Sequence, residues 1–279
     1  MRRNAASTAR VSSWRSLGAI AALGESGEII AAQYIEPVLT TRSLRHLAAP
    51  LRGLPSQCAV CRAWDTQRLC RDCVARYALP HPRCEQCAIG VPPGVRVCGA
   101  CLTAPPPYQR TLAAVDYDYP WDGLITQFKF HAALDLAALL AQRLIEAQRA
   151  SDLARPDWLL PVPLGPERLR ERGYNQAWEL ARRVASALHL AADARLLLRP
   201  RDTPHQLALP PAERAANVRG AFALEPRRMH EVAGRSVAIV DDVMTTGATA
   251  AEIARVLLRS GATSVQVWLV ARTPLPDVA

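Results

Sequence analysis

The chain has 279 residues, half of them hydrophobic, which suits one medium-sized domain plus a small module, or two small domains. It contains no uninterrupted apolar run of about 18 residues, so the sequence predicts no membrane span. The formal net charge is +9, and most of the excess lies in residues 1–105. A basic segment could attract nucleic acid or an anionic surface, and a solvated arginine-rich face is the simpler alternative.

Residues 1–54 are predicted to be a poorly ordered or helical extension. Their first 16 residues are polar and rich in Arg and Ser, whereas apolar residues recur at roughly helical spacing in residues 27–50. Residues 17–23 are too short and too poorly flanked to predict a secretory signal. The sequence therefore indicates no function for this extension.

All eight cysteines lie in residues 55–105, in four CxxC pairs. The pairs are Cys58/Cys61, Cys70/Cys73, Cys84/Cys87 and Cys98/Cys101. Because two such pairs supply the four thiolates of a tetrahedral site, the segment is predicted to be a double zinc-finger module with two structural zinc ions. Pairing could be sequential or interleaved, and iron–sulfur ligation is the main alternative. The segment has few large apolar residues, so metal binding is expected to supply its folding energy.

Strand-like and helix-like runs alternate in residues 106–279. Strands are predicted at residues 111–119, 157–163, 194–198, 221–224, 236–240 and 264–271. Helices are predicted at residues 121–148 (as one helix or two), 175–190 and 248–260, with a long loop over residues 199–220. The alternation predicts an α/β domain whose mostly parallel sheet has helices on both faces. Such sheets bind ligands beyond the carboxyl ends of their strands.

The most specific pattern is VAIVDDVMTTGAT at residues 237–249. Asp241 and Asp242 follow a buried strand, where two acids are costly unless they face a ligand or cations. The next residues open a helix, whose N–H groups, hydroxyls and dipole suit a phosphate monoester; they are Thr245, Thr246, Gly247, Ala248 and Thr249. The two acids suit ribose hydroxyls, or Mg²⁺ that also touches a pyrophosphate.

This run thus predicts a site for a phosphorylated ribose such as 5-phosphoribosyl-1-pyrophosphate (PRPP). A nucleotide P-loop would need a Gly-Lys pair, and the sole lysine, Lys129, follows no glycine-rich loop. The remaining alternative is an ordinary strand–helix turn with its caps.

These motifs, in this order, resemble the ComF family (ComFC or GntX-like). Besides residues 237–249, the resemblance rests on FKF at 128–130, PVP at 161–163, RGYNQ at 172–176 and the spaced residues between 206 and 222. It covers about residues 55–273 and leaves residues 1–54 outside. It implies a type I phosphoribosyltransferase-like α/β domain joined to a small zinc-ribbon-like module.

The resemblance also implies roles for single residues. Asp241 and Asp242 would be the catalytic acids of a transferase reaction, and the TTGAT residues would bind the ribose phosphate. Residues 161–165, with Val162, would cradle the pyrophosphate, and residues 200–220 would form a closing hood. The further candidates for pyrophosphate or hood contacts are Lys129, Arg172, Gln206 and Arg214.

The predicted function is therefore a cytoplasmic ComF-like protein that binds PRPP with Mg²⁺ and takes part in DNA uptake during natural transformation. If active, it would be a phosphoribosyltransferase with an unknown acceptor. A first alternative is a non-catalytic, PRPP-sensing module that binds single-stranded DNA or a partner protein such as a DNA-uptake helicase. A second is a phosphoribosyltransferase of nucleobase salvage. Trp64 and Tyr77 are the only aromatic residues of the cysteine-rich segment, which weakens a purely zinc-driven DNA function.

Overall fold

The computed structural model describes residues 56–201 and 214–274, which lie within one compact unit, Gln33–Ala279. The predicted extension, residues 1–54, falls outside the described residues. The cysteine-rich part contains β1 (Ser56–Gln57), β2 (Trp64–Asp65), α1 (Arg71–Tyr77) and α2 (Gly99–Thr103). Both helices start directly after a cysteine, Cys70 or Cys98, which serves as the N-cap residue.

The rest of the described chain alternates between strands and helices. Its strands are β3 (Arg110–Asp116), β4 (Trp158–Pro161), β5 (Ala191–Ala192), β6 (Leu197–Leu198), β7 (Ala223–Leu224), β8 (Ser236–Met244) and β9 (Ser264–Arg272). Its α-helices are α3 (Trp121–Phe130), α4 (Leu136–Ala150), α5 (Pro166–Arg172), α6 (Gln176–Leu188), α7 (Arg214–Asn217) and α8 (Ala248–Arg259). Among the described residues, none of the helices is both long and apolar enough to cross a membrane.

Five strands form one sheet in the order β3-β9-β8-β4-β5, and every neighbouring pair is parallel. The central strand β8 pairs with β9 along its whole length and with β4 through the pairs Trp158–Val237 to Pro161–Val240. The predicted α/β class with a mostly parallel sheet is therefore confirmed. The phosphoribosyltransferase-like strand–helix alternation places the carboxyl ends of β4 and β8 side by side, where ligands bind in such sheets.

Helices cover both faces of the sheet, as predicted. Alternate residues of β8 serve opposite faces, because successive side chains in a strand point in opposite directions. Ala238 and Val240 belong to the core that holds α3, α4 and α6, whereas Val237 and Ile239 belong to the core that holds α8. Burial on both sides explains why β8 and β9 read as continuous apolar runs.

Several predicted boundaries were wrong. Residues 121–148 form two helices, and Ala132 in the break between them has a positive φ of 51°. The strand predicted at residues 236–240 continues to Met244, so the acidic pair lies inside a strand that stays paired with β9. The strand predicted at residues 194–198 is reduced to β6, which pairs with β7 outside the main sheet.

Several short elements were not predicted from the sequence, and one of them, α7, lies within the loop predicted at residues 199–220. The fifth strand of the sheet is β5, only two residues long, and α5 forms over residues for which no element was predicted. Pro166 at the start of α5 and Gly173 just after its end fit the usual helix boundaries. The conformational preferences of these two residues were the signal from which α5 could have been predicted.

The eight cysteines form two separate clusters, and the knuckles pair sequentially. The clusters are Cys58/Cys61/Cys70/Cys73 and Cys84/Cys87/Cys98/Cys101, and in each the four sulfur atoms lie within 4.8 Å of one another. The interleaved alternative is thereby excluded. All eight are free thiols rather than disulfides.

The sulfur geometry fits a tetrahedral metal ion. Two Sγ–Sγ distances in the first cluster are 3.8 Å (Cys58–Cys73) and 3.6 Å (Cys61–Cys70), and the Cys87–Cys98 distance in the second is 3.7 Å. Four thiolates at a Zn–S distance of about 2.3 Å would be about 3.8 Å apart. Each cluster could therefore hold one zinc ion, with no position left open for substrate.

The cysteine-rich part packs along the edge of the sheet. The Thr111 backbone N–H of the edge strand β3 donates to the Glu85 carbonyl at 3.0 Å. Arg83 Nη1 contacts Asp116 Oδ1 at 2.7 Å, and Trp121 Nε1 donates to the Tyr77 carbonyl at 2.7 Å. The cysteine-rich part thus covers backbone groups that an exposed edge strand would present to other chains.

Sequential pairing makes a specific prediction about metal content. The wild-type protein should carry about two zinc ions per chain. The double variants Cys58→Ser/Cys73→Ser and Cys84→Ser/Cys101→Ser should each lose one ion, because each removes ligands from a single cluster. Interleaved pairing would cost both ions in either variant, since each would then damage both sites. Metal analysis of the purified proteins gives the answer; fewer than about one zinc in the wild type would exclude the zinc assignment altogether.

Candidate functional site

A cleft opens at the carboxyl ends of β4 and β8. The predicted site residues that line it are Lys129, Val162, Arg172, Asp241, Asp242, Thr245, Thr246, Gly247, Ala248 and Thr249. They come from α3, from the loop after β4, from the end of α5 and from the β8–α8 connection. The fold thus gathers segments that are more than a hundred residues apart in the sequence.

Two predicted candidates cannot be placed in this cleft. Gln206 lies outside the described residues. Arg214 begins the short helix α7, but its side chain lies outside the described part of the chain. Their proposed contacts with a ligand remain predictions.

The lone lysine forms an ion pair with the second acid of the pair. Lys129 Nζ lies 2.8 Å from Asp242 Oδ2, and the Asp242 side chain is only 2% exposed. Burial, which lowers the pKa of Lys129, is outweighed by the attraction of Asp242 and Asp241, so that pKa is raised above its ordinary value. The ammonium therefore stays charged and neutralises the buried carboxylate of Asp242.

Asp241 has a different environment. It is half-buried, and its Oδ1 accepts a hydrogen bond from the Asp242 backbone N–H at 2.9 Å. Loss of water around the carboxyl group, and next the neighbouring Asp242 charge, raise the pKa of Asp241 well above its ordinary value. The protein thus holds one acid neutralised by an ion pair and a second acid that lacks full compensation, which is the electrostatic pattern of a ligand site.

The β8–α8 connection presents the start of a helix to the same cleft. Gly247, the N-cap residue of α8, has a φ of +80°, a conformation that favours glycine. A Cβ at this position would also lie 2.9 Å from the Tyr108 hydroxyl oxygen. Gly247 is therefore required both by the backbone turn and by the close approach of Tyr108.

Helix α8 has the features of an anion site. It is 12 residues long and has no acidic residue in its first turn. Thr246 Oγ1 accepts from the Ala248 backbone N–H at 3.4 Å, and Thr245 and Thr249 line the cleft beside it. Free N–H groups at a helix start and the helix dipole favour a bound phosphate.

The RGYNQ run positions the opposite wall of the cleft. Asn175 is 4% exposed and caps α6, where its Oδ1 accepts from the backbone N–H groups of Ala177 and Trp178. Its Nδ2 donates to the Val162 carbonyl at 3.1 Å, which fixes the loop after β4. Asn175 thus caps α6 and at the same time holds the loop after β4 in place.

Arg172 and Phe130 form a ledge at the rim. The Arg172 guanidinium lies 5.2 Å from the centre of the Phe130 ring, and Arg172 also donates to the Gln176 side chain. Phe130 remains 52% exposed. This exposed ring with a cation on it lies beside Lys129 and Arg168 along the cleft.

Sequence reasoning missed Arg199 as part of the site. It is 6% exposed, lies 5.3 Å from the centre of the Phe222 ring and lines the cleft. It follows the apolar run of β6 and carries no motif that would have singled it out. Its position depends on the β6–β7 pair, which the sequence did not predict.

Known proteins give an independent comparison. No family model matches the chain. The chain is 37% identical over 227 residues to the DNA utilization protein YhgH of Escherichia coli K12, a match that covers 79% of this chain and 98% of that protein. It is 33% identical over 208 residues to competence protein F of Haemophilus influenzae, covering 73% of this chain and 90% of that protein.

Solved structures show a more distant likeness. The glutamine PRPP amidotransferase of B. subtilis, solved in complex with ADP and GMP, is 20% identical and has a TM-score of 0.35, with 52% of this chain and 30% of that chain covered. The fold assignment rests on the sheet order and direction described above. On the strength of the two sequence relatives and the two four-cysteine clusters, the chain belongs to the ComF family, in which it joins YhgH and competence protein F.

Proposed function

We propose that this protein binds PRPP, or a close phosphoribosyl relative, in the cleft at the end of β8. The observation that carries the proposal is that two carboxylates, Asp241 and Asp242, line the same cleft as the N-terminus of α8, which follows them closely in the chain. Carboxylates repel phosphate but accept hydrogen bonds from ribose hydroxyls, whereas the helix start favours phosphate. A ribose 5-phosphate presents these two groups at its two ends.

Magnesium fits this donor set in part. Carboxylate oxygens are suitable ligands for Mg²⁺, which would also be held by the pyrophosphate oxygens of PRPP. Asp241 is the more available of the two acids, because Lys129 already contacts Asp242 Oδ2. When bound, the ion would neutralise charge on the pyrophosphate.

If transfer occurs, the chain's own groups would act on the developing charge. The bond between ribose C1 and the pyrophosphate oxygen would break, and pyrophosphate would leave with the bonding electrons as an acceptor attacks C1. Asp241 and Asp242 would stabilise the positive charge on the ribose. Lys129, Arg168 and Arg172 would face the negative charge of the leaving group.

Single-stranded DNA is a second candidate ligand, and the Phe130–Arg172 ledge favours it. Nucleobases stack on exposed aromatic rings, and cationic side chains follow the phosphate backbone. The ledge places one exposed aromatic ring next to cationic side chains of the cleft. The names of the relatives, a DNA utilization protein and a competence protein, support a role for this protein in handling DNA that enters the cell.

Calorimetry with PRPP and Mg²⁺ tests the main proposal. The wild type should bind, and Asp241→Asn or Asp242→Asn should weaken binding by about tenfold or more, since each removes a charged hydrogen-bond acceptor. Arg143→Gln, a change on α4 away from the cleft, is the matched control and should bind as the wild type does. Absence of binding by a folded wild-type protein would refute the proposal.

The same two variants should change stability in opposite directions. Asp241→Asn should raise the melting temperature of the ligand-free protein, because it removes a carboxylate whose ionised form is disfavoured in the folded state. Asp242→Asn should lower the free energy of unfolding by about 2 kcal/mol or more, since it leaves the Lys129 ammonium without its partner.

The pH dependence follows from the raised pKa of Asp241. An aspartate whose pKa is raised in the folded state destabilises the protein increasingly as the pH rises above the pKa of an aspartate in the unfolded chain. The advantage of Asp241→Asn over the wild type should therefore shrink as pH falls towards about 4. Thermal unfolding of both proteins across this range measures it. An advantage that stays constant with pH would show that Asp241 does not carry this electrostatic cost.

The DNA candidate has its own test. Phe130→Ala should weaken binding of a short oligothymidylate by about tenfold, in line with the loss of one stacked base. Tyr119→Ala is the control, because Tyr119 is an exposed aromatic residue that does not line the cleft. Fluorescence anisotropy at fixed salt gives the affinities. Equal affinity for wild type and Phe130→Ala would remove the ledge from any DNA-binding surface.

A further inference from the structure

Arg272 connects the second cysteine cluster to the proposed phosphate loop. It is the last residue of β9 and is only 8% exposed. Its Nε donates to the Cys87 carbonyl at 2.8 Å, while its Nη1 donates to the carbonyls of Met244 at 3.0 Å and Thr245 at 2.6 Å. One buried guanidinium thus links the backbone of Cys87, a candidate metal ligand, to the backbone of the loop at Met244 and Thr245.

The bonds to Met244 and Thr245 fix the loop in a way that concerns the ligand. A trans peptide unit is planar, so its N–H points opposite to its carbonyl. Because Arg272 holds the carbonyls of Met244 and Thr245, the N–H groups of Thr245 and Thr246 point away from it. Arg272 therefore sets the direction of two N–H groups in the segment that lines the cleft, helped at Met244 by the Thr273 backbone N–H, which donates to the same carbonyl at 3.1 Å.

Tyr108 provides a second contact between the same two parts. It lies shortly after the last cysteine of the second cluster and is 4% exposed. Its hydroxyl lies 3.9 Å from Met244 Sδ and allows only a glycine at position 247. Met244 and Gly247 are thus packed against the segment that follows the second cluster.

The first cluster does not share this arrangement. Its surroundings contact α3 and the start of α4, through the Tyr77 carbonyl with Trp121 and through Arg68 with Asp135 at 2.8 Å. Among the described residues, no hydrogen bond joins the cluster of Cys58, Cys61, Cys70 and Cys73 to residues 244–249. The first cluster, which lies away from the loop, can therefore serve as an internal control for the second cluster, which lies beside it.

We propose that Arg272 is a positioning residue that makes the second cysteine cluster a working part of the ligand site. When the second cluster holds its metal ion, the Cys87 backbone is fixed. Arg272, which donates to Cys87, then restricts the positions of the Met244 and Thr245 carbonyls. The loop is thereby preorganised to bind phosphate. Coupling between two sites is reciprocal, so a bound phosphoribosyl ligand should in turn protect the second cluster. This inference rests on the proposed function for its ligand, and its link between cluster and loop can be tested without any ligand.

The first experiment uses the ligand-free, zinc-loaded full chain. Timed alkylation with N-ethylmaleimide followed by peptide mass spectrometry reports the two clusters separately, and amide hydrogen exchange reports residues 244–249. Arg272→Met should speed alkylation of Cys84, Cys87, Cys98 and Cys101 by about fivefold or more. It should also speed exchange in the loop and leave the first cluster unchanged. Arg272→Lys should restore little, because an ammonium cannot reproduce the guanidinium fork.

Arg83→Met is the matched control. Arg83 also joins the second cluster region to the sheet, through the Ala88 carbonyl at 3.2 Å and Asp116, but it does not reach the loop. This variant should also loosen the second cluster, but it leaves the contacts of Arg272 with Cys87 and Thr245 in place. Exchange of residues 244–249 should therefore rise less than in Arg272→Met. Loosening of the loop by Arg83→Met to the same extent as by Arg272→Met would overturn the specific role of Arg272.

The second experiment adds PRPP and Mg²⁺. Saturating ligand should slow alkylation of the second cluster in the wild type, leave the first cluster unchanged and have no such effect in Arg272→Met. Equal protection of both clusters, or none despite binding, would overturn the coupling. If PRPP does not bind the wild type, the proposed function fails, whereas the ligand-free rates still decide whether Arg272 links the cluster to the loop.

Discussion

Two adjacent carboxylates near the carboxyl end of the buried strand β8 are the constraint on which the rest of the structure depends. Asp241 and Asp242 both attract the Lys129 ammonium, but only Asp242 forms an ion pair with it. The chain gives Asp242 the only lysine it has, at 2.8 Å, and leaves Asp241 with a raised pKa. Such an incomplete compensation is costly in the free protein and is typical of a site whose ligand supplies the missing contacts.

Much of this arrangement could be predicted from the sequence. The alternation of apolar runs predicted the parallel sheet, because strands buried on both faces need continuous hydrophobic sequence. The four CxxC pairs predicted two four-thiol clusters, since their spacing fixes a tight turn around each metal ion. The run from residue 237 to residue 249 predicted the cleft, because its acids and small residues serve no ordinary strand–helix turn.

Other features depended on contacts between distant segments and carried no local signal. Lys129 could be singled out as a unique residue, but its pairing with Asp242 depends on how α3 lies on the sheet. Arg199 and Arg272 are two arginines in a chain that has 33, and only their burial sets them apart. The break between α3 and α4 was ambiguous because residues 131–135 contain neither a proline nor a glycine that would mark it.

The cysteine-rich part is connected to residues of the cleft, which a separate zinc module would not be. It covers the edge strand β3, and through Cys87 and Arg272 it reaches the main chain of the proposed phosphate loop. This contact gives a physical reason for joining the two parts in one chain. If the proposed coupling holds, ligand binding and the state of the second cysteine cluster would depend on each other.

The most direct test of the account is a crystal structure of the protein with ribose 5-phosphate. The account predicts that the phosphate binds the N–H groups of residues 245–249 and that the ribose hydroxyls bind Asp241 and Asp242. Lys129 should remain within ion-pair distance of Asp242. A phosphate bound elsewhere in the cleft, with the helix start empty and Asp241 without contact, would contradict it.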